Sequence, residues 1–200
     1  CELSKAARSA SHGRWRAVRP GAPRLRYGMD CYGVGDGHVL GLIDLDSRWV
    51  ELEYHPRRSA ELVARMVRER ILHRAGTPAE LRSDHAREFI GSTMTLLAKR
   101  EGYLRTTTTT GGYSPTGNAT MERFWRYLGR CLRMLSDEEY AKVSEHLSHM
   151  AWAWNVTPSE ATSVSPFEIM TGRKPRTAAD SFLGVDEESG GDPPQAPAVD

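Results

Sequence analysis

Cysteine is scarce in this sequence, and Cys1, Cys31 and Cys131 are the only three. So few thiols exclude a disulfide framework and point to a reducing compartment. No apolar run approaches the roughly 20 residues that cross a bilayer, and no secretory leader is visible. A membrane partner is therefore not expected. Basic residues are absent from Thr177 onward, where six acids stand: Asp180, Asp186, Glu187, Glu188, Asp192 and Asp200. That stretch, 177–200, reads as an acidic disordered tail. The 27 Lys and Arg side chains all lie in the first 176 residues, against 20 acids there, a balance of +7 hidden beneath a net charge of +1. A basic body suits a polyanionic partner. Residues 1–26 hold seven basic side chains against Glu2 alone and show no hydrophobic period, so they read as an extended basic linker. The chain starts at Cys1 without an initiator methionine, as a piece of a longer protein would.

What is present is a mixed pattern of strands and helices. Arg24–Cys31, His38–Leu45 and Arg48–Tyr54 alternate or run apolar, with a turn at Gly33–Gly37 between the first two. Three antiparallel strands in a meander is the economical reading. Ser59 caps a helix whose buried stripe is Leu62, Val63, Met66, Val67 and Ile71, ending at Gly76 and Pro78. Ala79–Ser83 reads as a short strand ending at Asp84. Phe89–Arg100 reads as a helix with Ile90, Met94, Leu97 and Ala98 inward, closed by Gly102. The β-branched run in Tyr103–Thr110 suits a further strand. A glycine-containing loop then feeds a helix reaching Arg133. Ser136 and Glu139 form a capping box for another helix carrying Tyr140, Val143, Leu147, Met150 and Trp154 on one face. Asn155–Pro175 reads as loop with a short helix near Pro166–Met170. The order strand-strand-strand-helix-strand-helix-strand-helix is α/β with a mixed sheet.

The chemistry is concentrated on the helix after the glycine loop. Met121, Phe124, Trp125, Leu128, Leu132 and Leu135 mark its buried side. Glu122 is on the other side, with Arg133, Arg126 and Arg130 within roughly 80° of it and Arg123 at about 100°. Asp30 lies on the first strand and Asp84 at the end of the fourth. Strand ends with a helix packed across them bring such acids together. Converging carboxylates without Cys or paired His favour Mg²⁺ or Mn²⁺ over Zn²⁺, and two such ions suit in-line displacement at phosphorus.

These residues resemble a known family. Asp30, then Ser83-Asp84-His85-Ala86-Arg87-Glu88-Phe89, then Tyr113-Ser-Pro115, Asn118 and Glu122-Arg123 are similar to the D,D-E catalytic core of retroviral and retrotransposon integrases. The segment Asn155-Val-Thr-Pro158, Ser165-Pro-Phe-Glu168 and Gly172-Arg-Lys-Pro175 resembles the stretch C-terminal to the core in long-terminal-repeat retrotransposons of the copia and gypsy kind. The likeness covers residues 25–176. It implies an RNase H-like fold with a five-stranded mixed sheet, and a division into linker 1–26, core 27–135, helical extension 136–176 and tail 177–200. The step from Asp84 to Glu122 is 38 positions, two more than the family usually has, and the extra residues fall within Thr106–Gly112. Where the family commonly has Asn-Gly after the second acid, this chain has His85-Ala86, and the lost glycine restricts a turn.

The resemblance further implies an enzyme that trims element 3′ ends and transfers them into target DNA. Asp30, Asp84 and Glu122 would be both catalytic and metal-binding, holding two Mg²⁺ or Mn²⁺ ions. Arg123, Arg126, Arg130, Asn118 and Tyr113 would contact DNA. Element ends and target DNA are the implied partners, with a homo-oligomer to join two ends, acting in the nucleus after a cytoplasmic stage. Cys1 with Lys5 matches the end of the family's His-His-Cys-Cys zinc module, without being assigned as a ligand. Two alternatives stay open: a ribonuclease H-like nuclease, and a decayed or domesticated integrase domain that binds DNA or protein without turnover. Asp44 and Asp46 are expected on one face of a strand, Asp44 in a structural role, and Glu88 is a candidate support for the site. Trp49, Trp125, Trp152 and Trp154 are expected as core or interface anchors.

Overall fold

The computed structural model describes residues 22–107, 115–159 and 163–177, without the side chains of 115–118. The basic segment 1–21 with Cys1, residues 108–114 with Tyr113 and the end of the strand expected over Tyr103–Thr110, and most of the acidic segment 177–200 lie outside the described residues.

Alternating apolar side chains build the meander. Strands β1 (Arg26–Val34) and β2 (Gly37–Asp44) pair antiparallel with Gly33 opposite His38 and Val34 opposite Gly37. The turn is therefore tighter than the sequence suggested: Gly35 and Asp36 alone connect the strands, and Gly35 takes the left-handed conformation, φ 55°. A second tight connection leads to β3 (Val50–His55). Its organiser is Asp44, fully buried, whose Oδ1 accepts hydrogen bonds from the backbone N–H groups of Asp46 (3.0 Å) and Ser47 (2.6 Å) and from Ser47 Oγ (2.9 Å). Asp44 is structural, as expected. Because β2 ends at Asp44, Asp46 lies in the turn rather than on the strand, and it pairs with Arg26.

Helix α1 (Ala60–Met66) starts at Ser59, whose hydroxyl accepts from Leu62 N–H. It continues through a π-helical turn, Val67–Leu72, into α2 (His73–Ala75). Strand β4 (Glu80–Ser83) comes next. A single helix expected over Phe89–Arg100 is instead α3 (Arg87–Ile90) and α4 (Ser92–Glu101), broken where Gly91 is extended at ψ 168°. The break keeps Phe89 buried but turns Ile90 outward to 44% exposure, against the inward position expected of it. After Gly102, left-handed at φ 79°, comes β5 (Leu104–Thr107). Helix α5 spans Pro115–Arg133. The next helix is also split, at Lys142, into α6 (Asp137–Ala141) with the expected capping box and α7 (Val143–Val156). Helix α7 carries regular structure through Asn155, which the sequence placed in a loop. Helix α8 (Pro166–Thr171) has a second capping box, Ser165 with Glu168.

The five strands lie in the order β3-β2-β1-β4-β5, the first three antiparallel and the last two parallel to β1. Strand parity divides the interior. Tyr27, Met29, Leu40, Leu42 and Leu81 face a core shared with α1 and α4. Val34, Val39 and Ile43 face a second core shared with α5 and α7, where Phe124 and Leu128 are fully buried. Burial of each such side chain contributes about 1.5–3 kcal/mol. Helix α7 also closes the β3 edge. Asn155, 3% exposed, accepts from Val50 N–H (2.8 Å) and donates to Val50 C=O (2.9 Å), while Trp154 donates to the Arg48 carbonyl (3.0 Å). A side-chain amide matches one donor and one acceptor of a strand, which is why Asn serves here.

Candidate active site

Parallel pairing of β1 with β4 sets the geometry. Arg26 lies opposite Glu80, Tyr27 opposite Leu81 and Gly28 opposite Arg82. Two more residues along each chain bring Asp30 level with Asp84, just beyond the last residue of β4. Gly28, Asp30, Arg82 and Asp84 share parity, and all line one cavity of about 190 Å³. Met121 and Glu122 of α5 complete its wall. The structure therefore gathers the three expected acids around one space, on the sheet face that α5 covers.

Asp30 is half-buried and held on both oxygens. Oδ1 accepts from Cys31 N–H at 2.7 Å, and Oδ2 accepts from the indole N–H of Trp125 at 2.8 Å. Burial pushes the Asp30 carboxyl above its ordinary range; the Trp125 and Cys31 hydrogen bonds oppose this, and the charge of Asp84 adds to it. The Trp125 ring reaches Asp30 by lying against Gly41, the residue paired with Asp30 across β2. A Cβ at Gly41 would stand 2.6 Å from Cη2 of that ring, so only glycine admits the indole there. Tyr32 stacks on the same indole at 5.4 Å and 21°.

Asp84 is exposed, and its Oδ1 accepts from Ala86 N–H at 2.9 Å. Ala86 itself sits at φ −62°, ψ 145°. That conformation is open to any residue, so the backbone here does not require the glycine the family commonly has. His85 is exposed. Glu88 is only 9% exposed in its side chain and pairs with Arg58 at 3.2 Å, rather than bonding either aspartate.

Glu122, Arg123, Arg126 and Arg130 are exposed on α5, opposite its buried stripe. Arg123 lies near Arg48, whose guanidinium burial and then the Arg123 charge push below its ordinary value. Asn118 falls in the first turns of α5, where only the backbone is described, and Tyr113 lies outside the described residues. Trp125 is the contributor that sequence reasoning did not connect to the site. The available signal was an indole on the buried side of the acid-bearing helix, since a buried Trp N–H needs an acceptor.

The donors that line the cavity are carboxylates, which fit a hard divalent cation. The mutual repulsion of Asp30 and Asp84 is of the kind such an ion relieves. Among the described residues no three His, Cys, Asp or Glu side chains stand close enough to share one ion. The acids line the space without being drawn into one coordination shell. No described helix is long and apolar enough to cross a membrane.

No family model matches the chain, and no curated protein matches it. Among solved structures, the crystal structure of the catalytic core domain of BIV integrase superposes with a TM-score of 0.61. The two are 23% identical over 74% of this chain and 93% of that one. With its mixed five-stranded sheet, antiparallel over the first three strands and flanked by helices, the chain has the RNase H-like fold of an integrase catalytic core.

Proposed function

We propose that this chain is the catalytic domain of a long-terminal-repeat retrotransposon integrase, trimming element 3′ ends and joining them to target DNA. The observation that carries the reading is the single cavity walled by Asp30 in the middle of β1, Asp84 just past β4 and Glu122 on α5. Those three carboxylates would hold Mg²⁺ or Mn²⁺, which when bound activates the attacking oxygen and stabilises the leaving oxygen of a phosphodiester displacement. Trp125 keeps Asp30 turned toward the cavity. Arg126 and Arg130, exposed on the Glu122 helix, are suited to the DNA backbone, because phosphate contacts fix register without reading sequence. Arg123, Asn118 and Tyr113 are further proposed DNA contacts. Pairing of two DNA ends calls for a homo-oligomer and for residence in the nucleus after a cytoplasmic stage.

A binding domain without turnover is the second reading, and the open arrangement of the carboxylates is the observation that favours it. One assay separates the two. Labelled element-end DNA is incubated with the protein and Mg²⁺, next to an RNA–DNA hybrid and next to Asp84→Asn. The proposal expects strand-transfer products from the parent and none from Asp84→Asn, with folding and DNA binding retained. Equal products from both proteins would refute it, cleavage of the hybrid alone would favour a ribonuclease H, and binding without products would favour the turnover-free domain.

A further inference from the structure

A second cavity lies on the other face of the sheet, away from the acids. It measures about 150 Å³ and opens between the start of β1, the start of β3, the α1–α2 helix and α8. Tyr27, Leu42 and Ile71 form its apolar floor, and Trp49 is one wall. Arg24, Arg70 and Arg74 line it, with Glu51 as the one acid among the described lining residues.

The arginines are not used up by their neighbours. Arg70 and Arg74 approach Glu51 only to 3.8 Å and 3.6 Å, beyond hydrogen-bond length. Glu51 Oε1 instead accepts from the Trp49 indole N–H at 3.0 Å. The Arg24 guanidinium makes no hydrogen bond or ion pair among the described residues. Among the described lining residues three positive charges stand against one negative, an excess of two, with the Asp44 carboxylate buried behind Tyr27.

One departure from regular backbone lies beside the cavity. Arg24 is a non-glycine residue at φ 71°, held there by a hydrogen bond from its N–H to buried Asp44. Such an outlier costs free energy and persists where the surrounding structure over-determines it, here through the Asp44 hydrogen bond. Arg70 and Arg74 stand four residues apart on the helix that runs through the π-helical turn Val67–Leu72, and so share the face toward the cavity.

We infer that this arginine-lined cavity is an anion site for a phosphate group, free or borne as a monoester. Hydrogen phosphate is a dianion, matching the excess of two, whereas a carboxylate would leave one guanidinium uncompensated. A cavity of about 150 Å³ admits a molecule the size of benzene, enough for one tetrahedral oxyanion with water but too little for a base and sugar. Arginine forks suit the bidentate capture of phosphate oxygens. This site stands whether or not the acidic cavity cuts DNA.

Calorimetric titration of the full chain with inorganic phosphate and with glycerol 3-phosphate, at fixed ionic strength, tests the assignment. One-to-one saturable binding is expected. Arg70→Gln and Arg74→Gln should each weaken it roughly tenfold, as loss of a charge-assisted bond does. Glu51→Gln should do the reverse and tighten it, roughly fivefold, by removing the competing carboxylate; a merely structural role of Glu51 predicts no gain. Tighter glycerol 3-phosphate identifies a monoester as the ligand, and tighter inorganic phosphate identifies the free ion. Absence of saturable heat in the folded parent overturns the site. So does binding that neither arginine variant changes.

Discussion

Gly41→Ala is the most informative single perturbation, because it acts on Asp30 through one intermediary. The new Cβ would lie 2.6 Å from Cη2 and 3.0 Å from Cζ2 of Trp125. The indole has little room to retreat: it is 9% exposed, stacked on Tyr32 at 5.4 Å and packed on Phe124 at 5.2 Å. Overpacking of this kind costs about 1–3 kcal/mol, a fall in Tm of about 3–10 °C for a domain this size. If the ring moves, Asp30 loses its indole donor, and its carboxyl titrates higher still. Trp125→Phe removes that donor outright, at about 1.5–3 kcal/mol for a hydrogen bond to a charged group. It also removes the ring atoms that collide with the new methyl. The double variant should therefore lose about 1–3 kcal/mol less than the sum of the two singles. Urea unfolding of the four proteins measures that coupling, and carboxyl NMR titration of Asp30 in each follows its pKa. Additive losses, within about 0.5 kcal/mol, with an unmoved Asp30 titration in Gly41→Ala, would refute the chain of contact from Gly41 to Asp30.

Asn155→Ala should destabilise by about 2–5 kcal/mol, since it strands both a donor and an acceptor of Val50; faster amide exchange at Val50 is the check, and unchanged exchange contradicts it. Arg126→Ala and Arg130→Ala should each flatten the log–log salt dependence of duplex binding by about 0.9, and unchanged slopes in both would return these side chains to plain solvent exposure. Burial holds the His55 imidazole below its ordinary value of 6.5. The unfolded chain therefore takes up a proton first as pH falls, so stability drops from about pH 6.5 until the folded value is reached. His55→Gln should remove that part of the pH dependence, measured by thermal unfolding across the range; an unchanged slope would disprove the assignment.

The parts of the fold legible in the sequence are those governed by local rules. Ser59 and Ser136 cap helices as their hydroxyls dictate, and Gly102 closes one in the left-handed region. The buried stripe of α5, from Met121 to Leu132, comes from helical period alone. The misread elements turn on competition between neighbours. Gly91 splits a helix that periodicity joins, so Ile90 and Phe89 part company. Asn155 looked like loop because its amide is polar, yet its partners on β3 are 105 residues away, at Val50. At the site, the place of Asp30 on the first strand and of Asp84 at the end of the fourth was readable, and the parallel register that sets them level required the sheet. The indole held against Gly41 is likewise a long-range match between a missing side chain and a large one, which no local pattern announces.

The bond between Asn155 and Val50 also sets an order of assembly. The meander β1–β3 is built from neighbours in sequence and is complete once His55 has left the ribosome. Its outer edge at Val50 then waits for α7, about 100 residues of chain away. At about 5–20 residues per second, translation leaves that edge uncapped for roughly 5–20 s. An unpaired strand edge is the surface on which nascent chains join one another. Synthesis of this domain thus passes through an interval in which protection must come from outside the chain, and slow translation between Val50 and Asn155 lengthens it.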